Sequence, residues 1–212
     1  MFPLQDSWTI VILGSWNPSI FSPDWVAERL SETPDCKVET AFNLADPTAP
    51  RKITFDGITL YPGRKQLVIN PLKPDVSEMV KCANVAIKIF SVLPHTPVGN
   101  VGINFSFFAV EKPLDILAAS DEMSDSFSSI ESSISRSLKT NDSDDYLLKH
   151  KLEQIEKGLK LSFNFHYELS DLNLYTEIFG KEIILKHYNE AVEFAEKYYE
   201  LKITDIEQEI QE

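Results

Sequence analysis

The alternation of apolar and polar positions is clearest late in the chain. Leu159, Leu161, Phe163, Phe165, Tyr167 and Leu169 fall on one side of an extended backbone, and Lys160, Ser162, Asn164, His166 and Glu168 fall on the other. A period of two with one oily side predicts a half-buried antiparallel strand. Residues Tyr146 to Ile155 alternate in the same way, and Lys157-Gly158 joins the two runs as a hairpin. Ile134 to Thr140 predicts a further strand, and Asn141 to Asp145 a turn.

Earlier in the chain, Trp8 to Leu13 reads as a buried strand. Ser22-Pro23-Asp24-Trp25 then opens a helix: Ser22 suits the cap, Pro23 the first helical position, and Asp24 the positive end of the helix dipole. Pro34-Asp35 ends it, and Lys37 to Leu44 reads as a strand. Asp56-Gly57 between Ile53–Phe55 and Ile58–Tyr61 predicts a tight hairpin, since both central residues of such a turn need positive φ. Tyr61-Pro62-Gly63-Arg64 makes a second turn, and Gln66 to Asn70 returns as a strand. Val76, Met79, Val80, Ala83, Ile87 and Phe90 recur at intervals of three and four, which predicts an amphipathic helix from about Asp75 to Val92.

The stretch SVLPHTPVGNVGINFSF, residues 91 to 107, joins that helix to a long strand over Val98 to Val110. Pro94 and Pro97 stop the helix, Gly99 is expected to permit the turn, and Gly102 to let another backbone or a large ring come close within the strand. Pro113 starts another helical stretch, and the serine-rich, acidic residues 120–143 read as a solvated loop. A last helix is predicted from Leu174 to Leu201, with Ile184, Tyr188, Ala191, Ala195 and Tyr198 as its apolar line.

Both halves therefore run strand, helix, strand, hairpin, long helix. The fold class is α+β: a mostly antiparallel sheet with long helices on one face, an order that either a twofold β-α-β-β-β-α duplication or chance in an antiparallel chain would produce. That arrangement resembles the saddle of the TATA-binding protein fold, which implies a curved sheet with helices on one side. The expected division is residues 1–97, residues 98–204 sharing the sheet, and an acidic tail at 205–212.

Charge changes this picture. Net charge is −13, and it is unevenly spread. Residues 1–100 hold 9 Lys and Arg against 10 Asp and Glu, whereas residues 101–212 hold 11 against 23. Binding to nucleic acid or to anionic lipid draws on Lys and Arg, so both are disfavoured partners. An acidic second half instead steers a basic protein partner. Cys36 and Cys82 form no CxxC pair and read as reduced thiols. No run is long enough to span a membrane and no basic-plus-apolar leader is seen, so the cytoplasm is the expected location.

The sequence contains no phosphate-binding glycine loop, zinc-protease helix motif or nucleophile elbow. The four histidines are His95, His150, His166 and His187. His150 and His166 share a hairpin: a two-residue loop puts them on opposite faces, where they cannot share a metal, whereas a three-residue loop would put them opposite one another. No metal or other cofactor is implied. Should the chain be an enzyme or small-ligand binder, His95, Asn104 and His166 are the pocket candidates. Arg51, Lys52, Arg64, Lys65 and Lys73 form a basic island at the predicted hairpin ends, suited to an acidic surface such as the second half of another copy. Trp16, in a loop, is a candidate interface anchor. Glu193, Glu196 and Glu200, with Glu207 beyond them, make an acidic row.

The expected function is a non-enzymatic protein-interaction module, of the adaptor, inhibitor or immunity type. It would hold a protein partner, or further copies of itself, through these charged surfaces. The alternative is a pocket between sheet and helices, and a weaker one is nucleic-acid mimicry by the glutamate row.

Overall fold

The computed structural model describes residues 1–46, 48–110, 133–139, 146–155, 158–169 and 174–203. Among these residues ten strands form one sheet, and every pairing in it is antiparallel. In chain order they are β1 (Phe2–Pro3), β2 (Thr9–Gly14), β3 (Glu39–Ala41), β4 (Lys52–Phe55), β5 (Ile58–Pro62), β6 (Gln66–Pro71), β7 (Val98–Ala109), β8 (Ser133–Lys139), β9 (Tyr146–Ile155) and β10 (Gly158–Glu168). Four helices accompany them among the described residues: α1 (Pro23–Arg29), α2 (Val76–Val92), α3 (Tyr175–Ile178) and α4 (Lys181–Tyr199). The fold is thus α+β around a large antiparallel sheet.

Strand order across the sheet is β3-β4-β5-β6-β2-β7-β10-β9-β8, with β1 on the same side of β7 as β2. β2 and β7 are neighbours near the middle of the order, with β3 at one outer end and β8 at the other. Outward from this pair lie β6, β5 and β4 on one side, and β10, β9 and β8 on the other.

Alternation along β7 sets the two faces. Val101, Ile103, Phe105, Phe107 and Ala109 are buried on one, while Asn100, Gly102, Asn104, Ser106 and Phe108 occupy the other. The same side of β10 is Leu159, Leu161, Phe163, Phe165 and Tyr167, and that of β2 is Ile10 and Ile12. Trp8 meets Phe105 edge-on at 5.0 Å between ring centres and donates its Nε1–H to Ser106 O. Tyr188 of α4 lies against both, 5.7 Å from Trp8 and 6.0 Å from Phe105. Helices α2 and α4 cover this face and touch each other. Removing any one of the fully buried rings costs about 3–5 kcal/mol.

The local signals act as read in the first helix and in the tight hairpin. Ser22 Oγ accepts from Trp25 N at the start of α1, and Asp75 accepts from Ser77 N at the start of α2. Asp56 and Gly57 take φ of 45° and 79° in the turn between β4 and β5. Helix α2 ends at Val92, just before Pro94.

Four expectations need correction. The strand over Lys37 to Leu44 shrinks to Glu39–Ala41, and Phe42 and Leu44 stand 68% and 93% exposed, because β3 is an outer strand with no described element over its end. The last helix breaks at Phe179-Gly180 into α3 and α4, which lets Phe179 turn inward against Phe90 at 5.9 Å. Gly99 lies within β7 rather than in a turn. Gly102 admits neither a backbone nor a ring: the side-chain amide of Asn164 occupies the space, 2.6 Å from where a Cβ would stand. The helix at Pro113, most of the 120–143 segment, the Asn141–Asp145 turn and the acidic tail lie outside the described residues. No described helix is long and apolar enough to cross a membrane.

His150 exposes one energetic consequence of the alternation. It falls on the oily side of β9, is 1% exposed, and sits among Phe163, Phe194 and Tyr199 with neither ring nitrogen bonded. Burial, reinforced by the charge of Arg136, lowers its pKa from the ordinary 6.5. The unfolded chain therefore takes up this proton at higher pH than the folded one. The associated stability is full above about pH 6.5 and is lost as pH falls towards the lowered folded value. We predict that His150→Leu, which keeps the volume and removes the proton site, flattens the dependence of urea midpoint on pH between about 7.5 and about 5 relative to wild type. Parallel slopes for the two proteins would contradict this placement of the effect.

Candidate functional site

The basic island resolves into a groove and two outliers. Arg51, Arg64 and Lys65 line a groove of about 690 Å³ together with Ser19, Phe42 and Thr48, whereas Lys52 and Lys73 do not line it. Its backbone is fixed from two sides. The β5–β6 turn closes on itself through Gly63 N to Gln66 O at 2.9 Å. The end of β2 then clamps that turn from outside: Gly14 N donates to Lys65 O at 2.9 Å and Trp16 N to Arg64 O at 3.0 Å. With their carbonyls held, Arg64 and Lys65 direct exposed side chains outward.

Arg51 is held differently. Its Nη2 donates to Pro18 O and to Phe21 O, while its Nε is buried without a hydrogen-bond partner. Carbonyl partners fix the guanidinium without neutralising it. Among the described residues no carboxylate pairs with Arg51, Arg64 or Lys65. Exposed Phe42 lies in the same groove, and Leu44 follows two residues later. The arrangement offers uncompensated positive charge beside an apolar contact.

Trp16 has a different place from the one its loop position suggests. It is 5% exposed, donates Nε1–H to Ile12 O at 3.1 Å, and packs against Phe21 and Phe90. Its ring belongs to the core, and its backbone braces the groove. Glu193, Glu196 and Glu200 are exposed on α4 or at its end, and Glu196 reaches Lys202 at 3.6 Å. Glu207 lies outside the described residues.

The three pocket candidates do not line either cavity described here. His95 is exposed beyond the end of α2. Asn104 and His166 lie on the side of the sheet away from α2 and α4. There Asn164 donates to Asn104 Oδ1 at 2.6 Å, and Asn104 donates to Thr9 Oγ1 at 2.9 Å, so these amides largely satisfy one another. His166 sits opposite Gly102, its pKa lowered by burial and by nearby Lys149. His150 pairs in register with Phe163 and His166 with Leu147, which leaves the two imidazoles on opposite faces.

Two clusters went unread in the sequence. His187, fully buried, links Tyr167 OH at Nε2 to Glu190 Oε2 at Nδ1, 3.1 Å away, and Tyr146 OH donates to the same carboxylate oxygen at 2.9 Å. Phe165 stacks on the imidazole at 4.0 Å. Burial pushes the Glu190 carboxyl up, but the bonds from His187 and Tyr146 and the positive charges beside it hold it below the usual range. The signal was a His and a Glu three apart on one helix, which only a fold can bring onto two strand tyrosines. The chain of groups orients a proton, yet it serves the packing between α4 and the sheet, and neither cavity reaches it.

The second cluster surrounds Asp56. A cleft of about 310 Å³ has Leu30, Phe55, Ile58 and Val85 as its floor, with Asp56 and Lys81 at its rim. Asp56 accepts from Ser31 Oγ at 2.6 Å, from Glu32 N at 3.0 Å and from Cys36 Sγ at 3.1 Å. Burial raises its pKa, but these bonds, with Thr33, outweigh that and hold the carboxyl far below the usual range. Its acceptors are spent on the loop after α1, which makes it a tether for that loop rather than a site for a ligand.

Asp56 gives a second test. Its contribution is present above about pH 4 and is lost as pH falls below the ordinary carboxylate range. Asp56→Asn tolerates the positive φ and keeps one acceptor, whereas Asp56→Ala keeps neither. Urea denaturation at neutral pH should show a loss of about 2–3 kcal/mol for Ala and about 1 kcal/mol for Asn. A loss for Ala with none for Asn would show that the turn conformation, and not the tether, is what matters. Comparison of the chain with protein-family models and with curated proteins finds no match.

Proposed function

We propose that this chain is a protein-binding module that takes an acidic segment of its partner in the groove of Arg51, Arg64 and Lys65. The observation that carries this reading is that three cations converge on one groove with no described carboxylate to offset them. Like charges held together repel, and a folded chain with 33 acids has ample means to neutralise them. Arg51 is pre-positioned by its two carbonyls, so little side-chain freedom is lost when it meets a carboxylate. Phe42 supplies the apolar contact that gives such an encounter residence time.

The acidic row on α4 is the second face of the same module. Its negative field favours a basic partner and repels nucleic acid, which is the wider meaning of the −13 net charge. Each half thus offers a charged surface, and the helix-covered core between them serves as a rigid frame.

A fluorescein-labelled peptide of about ten residues, Glu-rich with two leucines, tests the reading by anisotropy. Binding should appear at about 50 mM salt and weaken markedly at about 500 mM, where the Debye length is a few ångströms. Arg64→Ala with Lys65→Ala should weaken it at least about tenfold, and a Gln-for-Glu peptide should not bind. Binding that is indifferent to salt, to the Gln peptide and to the alanine pair would overturn the proposal.

A further inference from the structure

We infer that the occupant of the groove is helix α4 of a second copy of this chain. The inference rests on the groove reading above and names its partner. The outer side of α4 carries Glu193 and Glu196 about one turn apart, and Glu200 follows as the left-handed cap at its end; all three are exposed. Tyr198, 54% exposed, lies on another side of the helix, with the Lys197 ammonium 5.2 Å over its ring. The acidic row matches a groove of three cations in charge.

A chain cannot fill its own groove. The C-terminal end of α4 lies over β9, where Phe194 and Tyr199 meet His150 at 4.7 and 6.1 Å. The groove lies at the end of β5, and β6, β2, β7 and β10 separate β5 from β9. Five strand spacings amount to about 24 Å. The contact must therefore pass from one copy to the next, with different surfaces used on each. Such a head-to-tail contact closes into a ring or continues as a filament.

Sedimentation velocity over about 1 to about 100 μM protein provides the test. Wild type should show a sedimentation coefficient that rises with concentration at low salt and returns to the monomer value at high salt. A groove variant, Arg64→Ala with Lys65→Ala, and a helix variant, Glu193→Gln with Glu196→Gln and Glu200→Gln, should each associate at least about tenfold more weakly. All five side chains are exposed, and unchanged thermal melting of each variant checks that folding is intact. Mixed in equal amounts, the two variants retain one good groove and one good helix, and they should form a one-to-one complex that grows no further. A wild type that is monomeric throughout, while the labelled acidic peptide still binds the groove, overturns the second copy as partner and leaves the groove reading standing. Loss of both signals overturns the groove reading itself. Association that survives in both variants shows that the copies meet elsewhere and overturns the inference.

Discussion

Strand β7 is the constraint on which everything else rests. It is flanked by β1 and β2 on one side and by β10 on the other, and it joins the strands of the two halves into one sheet. Its strict alternation assigns each side chain to a face: Phe105 and Phe107 enter the helix-covered core, while Asn104 and Ser106 enter the polar ladder on the other side. A slip of one residue would exchange those sets, placing two asparagines in the core and two phenylalanines in water. The register is therefore held by burial across its whole length, and with it the positions of α2 and α4.

The groove is a by-product of that frame. Because β2 is pinned between β6 and β7, its end arrives beside the β5–β6 turn at a fixed height. Gly14 and Trp16 then grip the carbonyls of Lys65 and Arg64. Arg51 is brought in from β4 and tied to the carbonyls of Pro18 and Phe21. Three cations thus converge from two connections without any ion pair to a described carboxylate drawing them together. Proteins usually disperse or pair such charges, and their retention here is what favours a binding role.

Much of the architecture was legible in the chain because local rules and burial agreed. Alternation in 146–155 and 159–168, the Ser22 cap, the Asp56-Gly57 turn and the amphipathic period of α2 all point the same way as the final packing. The failures have a common physical source: they depend on what lies across from a residue. Val38, Thr40, Phe42 and Leu44 alternate well enough for a strand, but only three residues pair, since alternation says nothing about whether an element covers the far face. Trp16 looked like a loop anchor, yet α2 and the Pro18–Ile20 turn fold over it. The basic island was legible as composition, but not the separation of Lys52 and Lys73 from the other three. The Tyr167–His187–Glu190 chain was illegible, because its parts lie on a strand and a helix that no local pattern connects.

The most direct test of the central claim looks at the arginine side chains themselves. In a nitrogen-edited NMR titration with the acidic peptide, the Nε–H resonances of Arg51 and Arg64 and the backbone amides of Phe42 and Lys65 should shift together and saturate together. His166, on the side of the sheet away from α2 and α4, should stay still. Shifts confined to that side, or scattered without saturation, would contradict a groove that holds an acidic partner.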